Sequence, residues 1–178
     1  TAQSIDGFSK QHGRIKSIRH EANTGAGAAR NTGLEEAKST YFCFLDGDDH
    51  FFDDMTASVG KALNENQPAD MLVFEGLSFT SSGKSRSTGG VPSGVYEAFD
   101  EKASVFKAVT FPWNKIYRTS WITAENIRFD AGKYEDIPWC YECILKANRI
   151  VSCPLPIVHY RIHDASALQS RDKQQLDV

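Results

Sequence analysis

The sequence predicts an α/β fold in which short strands alternate with helices around a mostly parallel central sheet. Apolar and aromatic runs of strand length alternate with helix-forming segments through the first 80 residues, the pattern of βαβ units. The apolar run YFCFL (41–45) leads directly into the acidic turn DGDD (46–49). Because ligands of such sheets bind beyond the carboxyl ends of the strands, this turn is the first candidate for a functional site.

The composition is that of one folded domain. The chain has 178 residues, of which 40% are hydrophobic and 24% are charged, and its net charge is −3. We expect a single domain over residues 1–163 and a polar tail over 164–178. The sequence contains no basic stripe, so nucleic acid is not an expected partner, and no apolar run approaches the roughly 20 residues of a membrane span.

Helices are predicted where apolar residues recur every three or four positions or where helix formers dominate, and strands where short runs are rich in aromatic and branched residues. In the first half, Asp53 or Asp54 can cap a helix whose apolar stripe begins at Met55. The predicted elements there are a helix over 3–10, a strand over 14–18, a helix over 28–38, a strand over 41–45, the capped helix, and a strand over 71–79.

The second half begins with a polar loop that is rich in glycine and serine, over 80–94. The elements predicted after it are a short helix over 100–109, a strand or turn over 113–117, a short helix over 121–127, a loop over 131–136, a helix over 137–148, and strands over 150–153 and 156–162. Cys140 and Cys143 fall on one face of the predicted 137–148 helix, so we interpret them as packing residues rather than as zinc ligands. Free thiols fit a reducing cytoplasm.

The acidic turn places Asp46, Asp48 and Asp49 at the end of an apolar strand. The ordinary alternative is a solvated turn, because Asp and Gly are common turn residues. A carboxylate directly after Leu45 would, however, be partly desolvated unless it had a partner. Magnesium and manganese take oxygen ligands and commonly join one or two carboxylates to substrate phosphates. The turn therefore indicates a Mg²⁺ or Mn²⁺ site.

Three known motifs compete for this turn. An EF-hand loop is excluded, because its fifth and sixth positions would be His50 and Phe51. A haloacid-dehalogenase-like phosphatase would use Asp46 as its nucleophile, but His50 stands where that family usually has Thr or Val, and the motif lies far from the start of the chain. In the third alternative, a nucleotide-sugar transferase, Asp-x-Asp holds a metal on the diphosphate.

Five segments in order resemble those of family 2 glycosyltransferases of the GT-A fold, and together they cover nearly the whole chain. They are NTGAGAARNTGLEEA (23–37), FLDGDD (44–49), WNKIYR (113–118), FDAGKYEDIPW (129–139) and HYRIHDAS (159–166). The resemblance implies a GT-A α/β/α sandwich. It also implies inverting transfer from a UDP- or GDP-linked sugar to a glycan or lipid-linked acceptor in bacterial polysaccharide biosynthesis. The expected location is the cytoplasm, including the inner face of the plasma membrane.

One departure from the family concerns the start of the chain. The family begins with a strand like V-S-(V/I)-I-I-P-x-Y-N and a second strand that ends in D-D-G-S-x-D, and neither is present. We therefore expect a fragment that lacks roughly one βα-βα unit and is inactive by itself. The rival function of a different class is a non-catalytic nucleotide- or glycan-binding module, and a magnesium-dependent phosphatase is a more distant alternative. The oligomeric state is not indicated.

The resemblance implies metal-site roles for three residues. Asp48 is the expected metal ligand, and Asp46 is expected to contact the metal, its water or the ribose of the donor. His163 is a candidate third ligand or a contact to the diphosphate. The metal would neutralise the charge that develops on the departing nucleoside diphosphate.

Glu135 and Asp136 precede a predicted helix, where helix capping alone would explain acidic residues. The functional alternative is a general base, because an acceptor hydroxyl must lose its proton as it attacks the anomeric carbon. The resemblance favours Asp136 as this base, with Glu135 orienting the acceptor.

Four further residues are candidates for binding the nucleotide sugar. Arg30 and Asn31 lie near the start of a predicted helix, and helix N-termini attract phosphates. For Arg30, a surface ion pair is the equal alternative. Asn23 is either a donor contact or a turn former. Lys115, in an otherwise apolar stretch, is expected to reach a phosphate or to pair with the acidic turn.

Overall fold

The computed structural model describes residues 2–80, 85–88, 90–107 and 110–162. His163 and the predicted tail over 164–178 lie outside these residues. The helices are α1 (Ala2–Gln11), α2 (Gly25–Glu36), α3 (Met55–Asn66), α4 (Phe99–Lys102), α5 (Thr119–Ala124) and α6 (Asp136–Lys146), with a 3₁₀ turn at Val105–Lys107. The strands are β1 (Tyr41–Phe42), β2 (His50–Phe51), β3 (Met71–Thr80), β4 (Ser85–Thr88), β5 (Gly94–Tyr96), β6 (Lys115–Arg118) and β7 (Ile150–Ile162).

The predicted α/β fold is confirmed, but the sheet is partly parallel rather than mostly parallel. Its strand order is β1-β6-β3-β7-β2, with β4 beside β3 and β5 beside β7. The long strands β3 and β7 run parallel. The other described pairings are antiparallel. The alternation of strands and helices in the sequence predicted more parallel pairings than the sheet contains. β1 and β2 are two residues long, and they pair antiparallel with strands from the second half of the chain.

Helices cover both faces of the sheet. Alternate residues of β3 point to opposite sides, so that Met71 and Val73 belong to one apolar cluster and Leu72 and Phe74 to the other. The first cluster includes the buried faces of α2 and α6, and the second includes the buried face of α3. This is the three-layer sandwich expected from the sequence.

Asp70 links the ends of β3, β6 and β7 through hydrogen bonds. Its side chain is 4% exposed. It accepts a hydrogen bond from the Arg118 guanidinium and two from the backbone N–H groups of Asn148 and Arg149. A buried carboxylate with three donors is well compensated, and these bonds link the starts of β3 and β7 to the end of β6.

Some predicted elements differ from the structure. Residues 14–18 form no strand, and Ile15 and Ile18 are each more than 40% exposed, since no neighbouring strand pairs with them in the described residues. Only 41–42 of the predicted strand 41–45 are paired, and 80–94 contains β4. The two late strands are one continuous β7, which passes through Pro154 and Pro156 with irregular register beside Glu75.

The four cysteines are free thiols, as expected, and Cys140 and Cys143 are buried in the core. Burial raises the pKa of both thiols, which makes them poor nucleophiles and poor metal ligands. Across the part of the chain that the structure describes, no helix combines the length and the apolar character that a membrane crossing requires.

Candidate active site

One guanidinium joins the acidic turn after β1 to the loop over residues 129–135, called the α6 loop because it precedes that helix. Arg30, on α2, donates from Nη2 to Asp46 Oδ1 at 2.8 Å and from Nη1 to Glu135 Oε1 at 2.6 Å. Its side chain is 14% exposed, and its Cζ lies 5.3 Å from the centroid of the Phe129 ring. Burial alone would lower the pKa of Arg30, but the two carboxylates outweigh it and raise this pKa.

α2 presents one helical face to the α6 loop. Gly27, Arg30 and Asn31 lie three and four positions apart, which places them on the same side of the helix. Asn31 donates from Nδ2 to the Phe129 carbonyl at 2.9 Å and accepts from the Phe129 N–H at 2.9 Å. Both backbone groups of Phe129 are therefore held by one side chain, and the start of the loop is fixed to α2.

Gly27 allows a close approach between α2 and the same loop. A Cβ at this position would lie 2.8 Å from the Asp130 carbonyl oxygen and 3.1 Å from Glu135 Cγ. Such distances are shorter than ordinary van der Waals contacts, so any larger residue would push the loop away. The glycine is required by packing here rather than by backbone conformation.

The backbone of the α6 loop adopts left-handed conformations at Gly132 (φ 125°) and Tyr134 (φ 61°). A bulky residue such as tyrosine seldom adopts positive φ, so contacts from outside the loop must help to maintain this shape. Tyr134 directly precedes Glu135 and Asp136. The position of both acidic residues therefore depends on how the loop is held.

Asp136 is the first residue of α6, and Glu135 is its N-cap residue but makes no side-chain capping hydrogen bond. The capping alternative therefore does not explain Glu135, whose carboxylate binds Arg30 instead. Burial raises the pKa of Asp136, the neighbouring Glu135 carboxylate raises it further, and Arg30 opposes both. A carboxylate in this position is more basic than an ordinary aspartate.

Asp49, the last residue of the acidic turn, attaches the turn to β7. The Asp49 N–H donates to the Asp46 carbonyl at 3.1 Å, and Asp49 Oδ1 accepts from the Arg161 N–H of β7 at 2.9 Å. Its other oxygen, Oδ2, is buried and has no hydrogen-bond partner among the described residues. Burial raises the pKa of Asp49 to about 6, with smaller contributions from the charges of Asp48 and Asp46.

The donor set suits a hard divalent cation that keeps water and phosphate oxygens in its coordination shell. Asp46 and Asp48 lie on one turn, and Asp48 is exposed. Within the described ranges, no group of three or more His, Cys, Asp or Glu side chains is arranged to hold a metal by itself. Magnesium sites commonly need only one or two carboxylates beside substrate phosphates, so the turn fits such an ion. The proposed third ligand, His163, lies beyond the described part of the chain.

Two predicted nucleotide contacts lie in other surroundings. Asn23 Oδ1 accepts from the Gly25 N–H at 3.1 Å, and Gly25 has φ 86°, so this side chain shapes the turn that starts α2. Lys115 is fully buried, and its Nζ donates to the Phe111 carbonyl at 2.7 Å and to Asn114 Oδ1 at 2.8 Å. Burial lowers its pKa. A fully buried ammonium group is poorly placed to reach the phosphate of a ligand, so the structure does not favour this predicted role of Lys115.

Sequence reasoning assigned no role to Gly27 or Phe129, although both shape the site. The available signal was the helical spacing of positions 27, 30 and 31, which shows that they share a face. No local pattern indicated that the α6 loop would lie against this face.

The comparisons with known sequences point to one family. Residues 1–117 match the family described as Glycosyl transferase family 2. The putative glycosyltransferase EpsH of Bacillus subtilis (strain 168) is 27% identical over 180 residues, which cover 94% of this chain and 50% of EpsH. Glycosyltransferase GlyA of Streptococcus pneumoniae serotype 4 is 30% identical over 171 residues, which cover 89% of this chain and 24% of GlyA. The chain thus spans about half the length of EpsH and about a quarter of GlyA.

Solved structures of S. aureus TarS (residues 1–349) share the fold. The complex with UDP-GlcNAc superposes with a TM-score of 0.76 at 20% identity, over 96% of this chain and 49% of that chain. The complex with UDP has a TM-score of 0.74 at 20% identity, over 92% of this chain and 48% of that chain. The expected GT-A fold is confirmed by this likeness. Since the family match covers residues 1–117 of 178, the chain belongs to glycosyl transferase family 2.

Proposed function

We propose that the protein is part of an inverting glycosyltransferase that moves a sugar from a nucleotide-diphospho-sugar to a glycan or lipid-linked acceptor in polysaccharide biosynthesis. The observation that supports this proposal best is the convergence of the acidic turn and the Glu135–Asp136 pair on Arg30. The reaction needs carboxylates near the leaving diphosphate and a separate carboxylate that accepts the acceptor's proton. Membership of the family favours a transferase over a phosphatase.

In this proposal Asp136 is the general base. The acceptor oxygen forms its bond to the anomeric carbon as the bond from that carbon to the diphosphate oxygen breaks. The hydroxyl proton passes to the Asp136 carboxylate, and the electron pair of the broken bond leaves with the nucleoside diphosphate. A single displacement of this kind inverts the anomeric configuration. The raised pKa of Asp136 suits the role, because a base works best when its pKa lies nearer the operating pH.

We further propose that Asp48 and Asp46 hold a Mg²⁺ or Mn²⁺ ion, with His163 as a third contact. When bound, the ion would supply Lewis-acid stabilisation of the charge on the leaving diphosphate. The Asp46 side chain is 39% exposed while it binds Arg30, and Asp49 keeps the turn attached to β7. The protein's contribution is thus a turn that is anchored at both ends and presents carboxylates outward.

UDP-linked sugars are the first donors to test, because the TarS structures contain UDP and UDP-GlcNAc, and GDP-linked sugars are the second. The test measures thermal stability of the full-length protein with Mn²⁺ and each nucleotide sugar, followed by release of nucleoside diphosphate in the presence of candidate acceptors. If no nucleotide raises the melting temperature, the proposal is wrong.

The remaining outcomes separate the alternatives. Nucleotide binding without turnover on any acceptor would favour a binding module. Hydrolysis of an aryl phosphate that is lost on Asp46→Asn would instead indicate a phosphatase.

A further inference from the structure

We propose that Arg30 is a positioning residue that holds the α6 loop, and through it Asp136, in place for proton transfer, and that it is not a nucleotide contact. This inference rests on the proposed function, because it takes Asp136 as the base. It differs from the phosphate-binding role expected of a cation near a helix N-terminus, and it develops the ion-pair alternative that the sequence favoured equally.

The first argument for a positioning role comes from the contacts of Arg30. Its two terminal nitrogens are engaged by carboxylates from two different segments, at 2.6 and 2.8 Å, and its guanidinium lies over Phe129 with little exposure. The guanidinium has further N–H groups, but two carboxylates already balance its single positive charge, so a diphosphate would gain little from binding Arg30. Charge-assisted hydrogen bonds to carboxylates are among the stronger ones in proteins, so the observed arrangement favours a fixed bridge.

The second argument comes from the neighbours of Arg30 on α2. Asn31 holds the backbone of Phe129 from both sides, and Gly27 leaves room for Asp130 and Glu135. These contacts and the Arg30 bridge all act on the α6 loop rather than on open solvent. The loop contains a tyrosine with positive φ immediately before Glu135, and such a conformation persists only when surrounding contacts maintain it.

The consequence concerns Asp136. Without the guanidinium, Asp46 and Glu135 would be left as two carboxylates around the same space, and their repulsion would push the α6 loop away from the acidic turn. A displacement of about 1 Å at a reacting group can reduce a rate on the order of 100-fold. Loss of Arg30 should therefore reduce catalysis more than nucleotide binding.

The first test compares kinetics with binding in the full-length protein. Arg30→Gln should lower kcat for sugar transfer by about 10- to 100-fold, while the Kd of UDP with Mn²⁺, measured by calorimetry, stays within about threefold. Arg30→Lys keeps the charge but cannot reach both carboxylates in the same geometry, so kcat should recover in part. Arg14→Gln makes the same chemical change on an exposed side chain and should alter neither quantity.

A second variant disturbs the same loop without changing any charge. Gly27→Ala adds one methyl group against Asp130 and Glu135. If Arg30 acts by positioning, this variant should reproduce the Arg30→Gln pattern of lowered kcat with nearly unchanged UDP binding. In an Asp136→Asn background, Arg30→Gln should cause little further loss, because residues that act through one group are not additive.

A third measurement does not depend on activity. Lys133 is exposed in the α6 loop, so limited trypsin digestion can report how firmly the loop is held. Cleavage after Lys133 should be several-fold faster in Arg30→Gln and Gly27→Ala than in the wild type or Arg14→Gln. Circular dichroism of each variant shows whether the remainder of the protein is folded.

The outcomes separate this inference from the proposed function. If Arg30→Gln and Arg30→Lys weaken UDP binding by tenfold or more and leave kcat unchanged, Arg30 is a nucleotide contact and the inference is wrong, while the glycosyltransferase proposal stands. If the wild-type protein neither binds nucleotide nor transfers sugar, the proposed function fails. In that case, cleavage at Lys133 that is unchanged by Arg30→Gln would also overturn the holding role of Arg30.

Discussion

Arg161 donates its backbone N–H to Asp49 Oδ1 at 2.9 Å, and this bond attaches the acidic turn to β7, an inner strand of the sheet. The turn is thereby held between β1 and β7, although the second Asp49 oxygen is buried without a hydrogen-bond partner among the described residues. The anchoring places Asp49 where its charge is unfavourable, and burial raises its pKa to about 6.

The first prediction concerns stability and pH. The pKa of Asp49 is raised from 3.8 to about 6, so the folded state binds this proton more tightly than the unfolded chain does. The contribution of Asp49 to stability is therefore greatest at low pH and is lost as the pH rises through about 6. Asp49→Asn keeps an acceptor for Arg161 and removes the charge. It should increase the free energy of unfolding by about 1 kcal/mol at neutral pH, after allowance for solvent screening.

Urea unfolding in the presence of a chelator measures this effect. Near pH 4 the gain from Asp49→Asn should largely disappear, because the folded protein is then already protonated at Asp49. Asp53→Asn is the control, since it removes an exposed carboxylate four residues away. An Asp49→Asn effect of equal size at both pH values would contradict the prediction.

The second prediction identifies the base. Asp136→Asn should lower kcat for transfer by about 10²- to 10⁴-fold, the usual contribution of general base catalysis, and should leave the Kd of UDP with Mn²⁺ nearly unchanged. Asp130→Asn, an exposed change in the α6 loop, serves as control. Steady-state release of UDP gives kcat, and calorimetry gives the Kd. A larger loss in Glu135→Gln than in Asp136→Asn would assign the base to Glu135 instead.

The third prediction is the pH dependence of transfer. Asp136 must be ionised to accept a proton, so kcat/KM should rise with pH through its pKa, which burial and Glu135 raise above 3.8 and Arg30 lowers. Lys115 is a second cation that interacts with Asp136. Arg30→Gln should move the acidic limb of the profile to higher pH, and Arg30→Lys should move it less. A limb that stays in place or moves to lower pH in Arg30→Gln would exclude Asp136 as the titrating base.

The fourth prediction concerns the metal. A chelator should abolish both UDP binding and transfer in the full-length protein, and added Mn²⁺ should restore them. Asp48→Asn should raise the Mn²⁺ concentration for half-maximal UDP binding by on the order of tenfold or more, since even residues around metal ligands commonly contribute this much. Asp54→Asn, on the exposed N-cap of α3, should behave like the wild type. Full transfer in excess chelator would rule out the metal.

The fifth prediction concerns the attachment of the α6 loop. Asn31→Asp keeps an acceptor for the Phe129 N–H but loses the donor to the Phe129 carbonyl. The free energy of unfolding should fall by about 1 kcal/mol, the lower end of the usual cost of an unpaired buried acceptor, because this hydrogen bond is only partly buried. Urea unfolding measures this change, and Asn64→Asp makes the same substitution at an exposed position of α3. Equal decreases in the free energy of unfolding at both positions would show that the two hydrogen bonds between Asn31 and Phe129 add no stability of their own.

Local patterns in the sequence were sufficient for several elements and for the family. The helix α3 and the strand β3 lie where an apolar stripe and an apolar run predict them, and α2 overlaps the stretch of helix formers over 28–38 but begins at Gly25. These signals depend on residues a few positions apart. The five motif segments likewise identified the family and the GT-A fold. The turn DGDD follows a strand, although only Tyr41 and Phe42 of the predicted strand are paired.

Only the tertiary structure decided which of the predicted residues meet. Arg30 and Glu135 are 105 positions apart, and their contact depends on how α2 packs against the loop before α6. Lys115 was expected to reach a phosphate or to pair with the acidic turn, and the structure buries it, because β6 lies inside the sheet between β1 and β3. The sequence by itself determined which charged groups the protein has and which short elements carry them. Packing over long separations determined their partners, since a local pattern contains no information about which distant segment will cover it.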